Sequence, residues 1–450
     1  MLTLLMVGDA LGATGGPFVE RETTLLDRGL SVFGIPAILF ITWLFSVNRK
    51  RIIWRPVVWG IGVQIVLAVV LLNPVVGGVI FSAIDVAVNT LLGFSDQGAA
   101  FLFGSFVDHE IAVKSGEGYS GVSFANKISP PLLTIAFSVL PTIIFFSALM
   151  ALFYHLGLMQ RIVSVFAWLM RKTLGTSGSE SLSAAANIFV GQTEAPLLVK
   201  PFVATMTRSE LNAVMVGGFA TVAGGVLALY VLFLNDIPGI AGHLATASVL
   251  SAPAALAIAK ILVPETEVSK TQGAVSLTVE KMDTNAVEAL ARGSSEGLKL
   301  AANVGAMLIA FVAVVAMVNA LMLACFGVSF AEFLGWIFSP LAFVMGVPWD
   351  EAAIVGQLLG EKLVLTELIA YTHLQEILRA DVPVLSERSS IIATYALCGF
   401  ANFASIGIQI GGIGGIAPER RRDLSELGVR AMIGGTLAAC LTGTIAGILL

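Results

Sequence analysis

Gly218-Phe219-Ala220-Thr221-Val222-Ala223 is answered near the far end of the chain by Gly399-Phe400-Ala401-Asn402-Phe403-Ala404. Each string lies inside a long apolar run, and each is preceded by a Ser-Glu pair suited to starting a helix, Ser209-Glu210 and Ser386-Glu387. Each also comes after a moderately apolar segment, 181–206 or 349–378, with Thr-Glu near its middle: Thr193-Glu194 in the first, Thr366-Glu367 in the second. The order of features is therefore repeated, and the two copies should fold alike. The glycine-rich stretches around the strings, 217–225 and 399–415, have poor helix propensity. Either they let helices pack closely or they mark broken helices; the matching Thr-Glu segments favour breaks.

Composition says what surrounds these elements. Of 450 residues, 57% are hydrophobic and only 12% charged, against about 25% charged in soluble proteins. A water-soluble fold has nowhere to put so much apolar surface, so lipid is the solvent. The net charge of −5 forms no basic stripe for nucleic acid. Cys325, Cys398 and Cys440 lie in apolar runs without metal-ligand spacing and read as small hydrophobes. The first 16 residues lack a basic leader region, so a cleaved signal peptide is not expected.

A helix crosses the hydrocarbon in about 20 residues. Runs of suitable length and apolarity are 30–47, 56–72, 131–158, 212–234, 243–263 (with Lys260 free to snorkel), 301–330, 389–418 and 431–450. Positive clusters fall around 49–55, 161–172, 292–299 and 420–422, which orients eight crossings with both termini outside. The segment 97–107 is short and suits an interfacial helix, as does the amphipathic stretch 160–172. Segments 181–206 and 349–378 begin and end on one side of the membrane. They read as re-entrant hairpins, whose irregular tips survive only inside protein or a wet cavity.

The chain thus reads as an all-α integral membrane protein of eight transmembrane helices, two re-entrant hairpins and interfacial helices. Its parts are an N-terminal segment, 1–29; N-terminal helices with an interfacial helix, 30–128; a first repeat, 129–264; a cytoplasmic linker, 265–296; and a second repeat, 297–450. Because the two repeated spans cross in opposite directions, the repeat has inverted topology. Such folds place solute and ions at the midplane, where broken helices meet hairpin tips.

Glu194 and Glu367 are carboxylates at the two tips, and a carboxylate at depth needs a partner, a proton or water. They either accept hydrogen bonds from a neutral polar solute or solvate a turn at an interface. Asn187, Thr221, Asn402 and Ser405 lie near the presumed breaks, where they either surround a hard cation or cap unwound backbone. Phe400 either stacks on a planar ring or packs. Lys200 and Lys362 flank the tips and are expected to snorkel or pair locally. His155, His243 and His373 form no metal pair. No nucleophile elbow, zinc-protease motif or P-loop is present, so an enzyme is not indicated.

At Gly191-Gln192-Thr193-Glu194-Ala195-Pro196 the sequence resembles the concentrative nucleoside transporter family. The likeness runs through Met206-Thr207-Arg208-Ser209-Glu210-Leu211, Gly217–Thr221, Gly297–Ala301, Leu358–Lys362 and Gly399–Phe403, covering roughly 30 to 450. The resemblance implies a nucleoside importer in a bacterial cytoplasmic membrane, a homotrimer working by an elevator-type mechanism. It implies Na+ as coupling ion, held by the Asn187 and Thr221 side chains with the Val190 and Val222 carbonyls, and no organic cofactor. Gln192, Thr193 and Glu194 would read the base. Glu367, Asn402 and Ser405 would hold the ribose, with Phe400 against the ring. The Gly-Gln-Thr-Glu tip and the Thr221 hydroxyl match the sodium-coupled branch, whereas proton-coupled relatives carry Gly-Gln-Ser-Glu-Asn-like tips. One departure is Thr366, where the family usually has Asn. The rival readings are an H+-coupled nucleoside symporter with Glu194 or Glu367 titrating, a nucleoside-binding membrane receptor or enzyme, and a passive channel.

Overall fold

The computed structural model describes residues 17–103, 110–115, 118–123, 140–272 and 283–450. Among these the chain is helical apart from one antiparallel hairpin, β1 (Glu110–Ser115) with β2 (Gly118–Ser123). The apolar runs give no sign of this hairpin. Three helices come first: α1 (Leu25–Leu44), α2 (Trp54–Leu71) and α3 (Val76–Phe103). Each is long and apolar enough to cross a membrane. The expected interfacial helix at 97–107 is not a separate element, because 97–103 form the last turns of the 28-residue α3 and 104–107 lie outside the described residues. Asp85 interrupts the uncharged run there, so a search for uncharged stretches passes over this helix.

Beyond the hairpin, one order of elements occurs twice. First come α4 (Leu140–His155) and α5 (Leu158–Leu174), bent by 78°. Then come α6 (Gly178–Asn187), an irregular tip, a short 3-10 turn at Ala195–Val199 and α7 (Lys200–Val203). The broken pair α8 (Arg208–Ala220) and α9 (Gly224–Phe233) and the long α10 (Ile240–Leu262) complete the set. In the second copy α11 (Ala286–Phe326) turns through 88° into α12 (Phe330–Val344). Next are α13 (Trp349–Val364), α14 (Glu367–Leu378), the broken pair α15 (Glu387–Leu397) and α16 (Phe403–Ile416), and finally α17 (Arg421–Leu449).

The crossings at 212–234 and 389–418, expected to break at their glycine-rich strings, are each two half-helices, interrupted at 221–223 and 398–402. Residues 131–139 of another expected crossing lie outside the described residues. The stretch expected as linker, 265–296, is not linker throughout: Asn285 caps α11, its side chain accepting from Glu288 N, so helix begins at 286. Residues 273–282 of that stretch are likewise outside the described residues.

The two long helices that close the copies make the centre. Within their apolar windows α10 is 89% and α17 83% buried, against 11% for α3. The helices at the start of the chain therefore keep most of their apolar surface on the outside, where lipid belongs. Cys398 and Cys440 are buried free thiols and Cys325 is an exposed one.

Helix starts are pinned by side chains. Ser177 with Glu180 and Thr207 with Glu210 form capping boxes at α6 and α8. Lys260, from the last turn of α10, reaches both starts. Its Nζ lies 2.7 Å from Glu180 Oε2 and donates to Ser209 Oγ at 3.0 Å. The segment after α10 joins in, with Ser269 and Thr271 donating to Glu210 Oε1. Lys260 does not snorkel as its place in the run suggests; at 5% exposure it is buried and paired instead. Removing one partner of a buried ion pair costs about 3–5 kcal/mol. We therefore expect Lys260→Met to lower the midpoint of thermal unfolding in detergent steeply, and Lys260→Met with Glu180→Gln to restore part of it.

Candidate functional site

The second tip is the more fully bonded. α13 ends at Val364, and Thr366 starts α14 as its N-cap, its Oγ1 accepting from Ile369 N at 3.4 Å. Glu367 is the first residue of α14 and is only 4% exposed. Its carboxylate accepts from Tyr230 Oη of α9 at 2.9 Å and from Asn402 Nδ2 at 3.0 Å. Asn402 is the N-cap of α16, with its Oδ1 accepting from Ser405 N at 2.9 Å. One amide thus holds both the carboxylate and the restart of the broken helix. Tyr230 packs on Tyr371, their ring centroids 4.5 Å apart. Phe400 is half-buried in the break.

The first tip wedges between α8 and α16 because two glycines make room for it. A Cβ on Gly218 would stand 2.9 Å from Gln192 Cβ, and one on Gly412 would stand 2.9 Å from Thr193 Cγ2. Gln192 is buried, and its Oε1 accepts from Gln409 Nε2 at 3.0 Å. Gln409 Nε2 also donates to the Met215 carbonyl at 3.1 Å, which fixes the amide. Glu194 sits on the outer side of this tip, exposed. No hydrogen bond joins it to the Glu367 group among the described residues, so the two tip carboxylates do not share a partner.

Asn402, Ser405 and Gln409 recur at i, i+3 and i+7, so they share one face of α16, and all three are buried. The second tip meets that face at Asn402 and the first at Gln409. At 1.5 Å per residue these contacts are about 10 Å apart along the helix. That is roughly the span of a small solute with a different polar group at each end.

Beside the first break lies another set. Asn187, the last residue of α6, is fully buried, and neither its Oδ1 nor its Nδ2 has a partner. It stands against Gly217, where an added Cβ would come 3.2 Å from Nδ2. Thr221 Oγ1 donates to the Gly217 carbonyl at 2.9 Å and leaves its lone pairs free. Val190 and Val222 are buried, and neither carbonyl accepts a backbone hydrogen bond among the described residues. An unpartnered buried amide costs about 1–3 kcal/mol. A cluster of neutral oxygens with such an amide fits a small hard cation. No cluster of His, Cys, Asp or Glu suited to a transition metal exists among the described residues.

Sequence reading misses two of these residues. Tyr230 gives no signal, being one aromatic in an apolar helix. Gln409 could have been found, because it is a lone amide in the run Ile406-Gly407-Ile408-Gln409-Ile410-Gly411. We expect Gln409→Leu, which frees Gln192, to weaken solute binding about tenfold, the worth of one lost hydrogen bond of about 1.4 kcal/mol. Isothermal titration of purified protein reads this directly.

Paired helix tips that meet two helix breaks over a buried polar face suit a membrane transporter. Family models match most of the chain. The Na+ dependent nucleoside transporter N-terminus covers residues 33–106, a nucleoside recognition (Gate) model 136–236 and the Na+ dependent nucleoside transporter C-terminus 243–447. The transporter YutK of Bacillus subtilis (strain 168) is 42% identical over 92% of this chain and 98% of its own. Solute carrier family 28 member 3 of Mus musculus is 42% identical over 93% of this chain, which spans 58% of that longer protein. Among solved structures, CNTnw in an inward-facing substrate-bound state superposes with a TM-score of 0.85 at 40% identity, covering 93% of this chain and 98% of that one. An outward-facing double variant of CNTnw gives 0.84 at 38% identity, over 95% and 98%. The chain belongs to the concentrative nucleoside transporter family.

Proposed function

We propose that the chain is a secondary active nucleoside importer of a bacterial cytoplasmic membrane that couples uptake to Na+. In this reading there are eight crossings, α3 not among them; the last six with the two re-entrant hairpins form an inverted-topology repeat, and both termini lie outside. A homotrimer anchors a scaffold past which a transport domain slides like an elevator. Ribose hydroxyls bind Glu367, Asn402 and Ser405, with Phe400 against the ring. The base binds Gln192, Thr193 and Glu194. The co-transported Na+ is held by Asn187 and Thr221 side chains and by the Val190 and Val222 carbonyls.

The observation that carries the reading is the α16 face. It joins a carboxylate acceptor at one end to a neutral amide at the other, as a molecule with a sugar and a base requires. A carboxylate favours hydroxyl donors and repels an anion, which suits a nucleoside and disfavours a nucleotide. The unpartnered Asn187 amide favours ion coupling at the first tip over titration of a carboxylate. The ion site lies at the base of the same tip that carries Gln192, so filling one favours the other. By linkage each must tighten the other equally.

The test is uridine affinity measured across Na+ concentrations. Wild-type protein should bind uridine at least tenfold more tightly in saturating Na+ than in choline. Thr221→Ala should raise the half-saturating Na+ about tenfold while leaving uridine affinity at saturating Na+ nearly unchanged. Affinity indifferent to Na+ but strengthened by acid would move coupling to a carboxylate.

A further inference from the structure

Lys362 takes no part in the site as described, yet it is the most unusual side chain in the protein. It lies in the last turn of α13 and is 0% exposed, so it does not snorkel as a lysine flanking a tip is expected to. Its Nζ donates to the Ala396 carbonyl at 2.8 Å. No carboxylate comes within ion-pair distance of it among the described residues. Glu361, its neighbour in the chain, is turned to His373 instead, with Oε2 2.9 Å from Nδ1. A charge buried at depth is costly unless something specific stabilises it.

Two features here do so. Ala396 is in the last turn of α15, where the aligned carbonyls of a half-helix present partial negative charge. The neighbouring Thr394 carbonyl is already taken by Tyr371 Oη at 2.8 Å. Glu367 begins α14, just across the second tip from the end of α13. Its own hydrogen bonds come from the neutral donors Tyr230 and Asn402, so neither balances its charge.

The first copy offers a contrast. There the last turn of α6 carries Asn187, which faces the last turn of α8 and has no partner. No Lys or Arg donates to the last turn of α8 among the described residues. The corresponding corner in the second copy is filled by an ammonium on a tether.

We propose that the Lys362 ammonium is a built-in cation at the second helix break, set between the carbonyl end of α15 and the Glu367 carboxylate so that this half of the site is charge-balanced without a bound ion. This rests on the ion-and-nucleoside reading above and extends it: only the first tip waits for Na+, while the ribose-binding tip stands ready beforehand. Lys362 is a positioning residue that acts through Glu367.

The experiment uses purified full-length protein with Lys362→Met and Lys362→Gln, each also combined with Glu367→Gln. Tm is read on all variants, and uridine affinity in saturating Na+ on those that retain Glu367. Both single neutral variants should bind uridine at least tenfold more weakly, the Gln variant included although it keeps a donor for Ala396. Neutralising Lys362 should lower Tm, and in the Glu367→Gln background the drop should be less than half as large. A double variant that folds where the single one does not counts the same way. A Lys362→Gln protein that loses less than tenfold in affinity, or a Tm drop at least half as large in the Glu367→Gln background, would overturn the proposal. Failure of the transport reading would show separately, as wild-type protein that does not bind uridine in Na+. The Tm comparison would then still report on Lys362.

Discussion

Glu367→Gln is expected to reduce uridine uptake by about 30- to 100-fold while leaving the protein folded. The substitution keeps the shape of the side chain but removes the charge. A hydrogen bond to a charged group contributes about 1.5–3 kcal/mol against about 1 for a neutral pair. Asn402 Nδ2 and Tyr230 Oη both donate to this carboxylate, and an amide nitrogen in place of one oxygen turns one of those contacts into donor against donor. Ribose hydroxyls would then lose their acceptor as well as a well-placed Asn402. The loss should fall chiefly on KM for nucleoside, with the Na+ dependence of the residual uptake unchanged. Initial-rate uptake into proteoliposomes, with surface-accessible protein quantified, distinguishes this from poor insertion. Uptake within threefold of wild type would remove Glu367 from the site.

Gly399→Ala should damage both the fold and the site. Gly399 has φ +126°, a conformation that L side chains rarely adopt. An added Cβ would stand 2.7 Å from the Phe219 carbonyl oxygen and 2.8 Å from the Ala220 carbonyl carbon and oxygen. Those atoms belong to the last turn of α8, so the two helix breaks cross backbone on backbone at this glycine. No flexible side chain can yield there. The strained φ and the overpacking together should cost about 2–4 kcal/mol, seen as a fall in Tm. Because both breaks must shift, nucleoside binding should fall as well, even at temperatures where the variant is fully folded. A nearby control is Gly407→Ala, where nothing lies within 4 Å of the added methyl.

The same glycine explains how much of the molecule is legible in its sequence. Helix breaks announce themselves through composition: glycine and polar residues inside an apolar run have few explanations, and the two that matter come as a pair. The tips are legible for the same reason, since Thr193-Glu194 and Thr366-Glu367 are polar interruptions of apolar segments. The bend between α11 and α12 is not, because Ser329 with Glu332 caps a new helix inside a stretch that hydropathy reads as continuous. The length of α3 is hidden by Asp85. In the site, residues with unusual chemistry for their surroundings stand out, and those with ordinary chemistry in unusual places do not. Tyr230 matters only because α9 brings its hydroxyl to Glu367, a contact across 137 positions of sequence. Lys362 looks like a snorkelling lysine because local sequence cannot reveal that its end of α13 is the enclosed one.

The central claim, uphill nucleoside uptake driven by Na+, is tested most directly in sealed proteoliposomes. These are loaded with Na+-free buffer and diluted into radiolabelled uridine with either Na+ or choline outside. Internal uridine should rise transiently to several times the external concentration with Na+, and remain near background with choline. Equal uptake in both media, or uptake that stops at the external concentration, would contradict it.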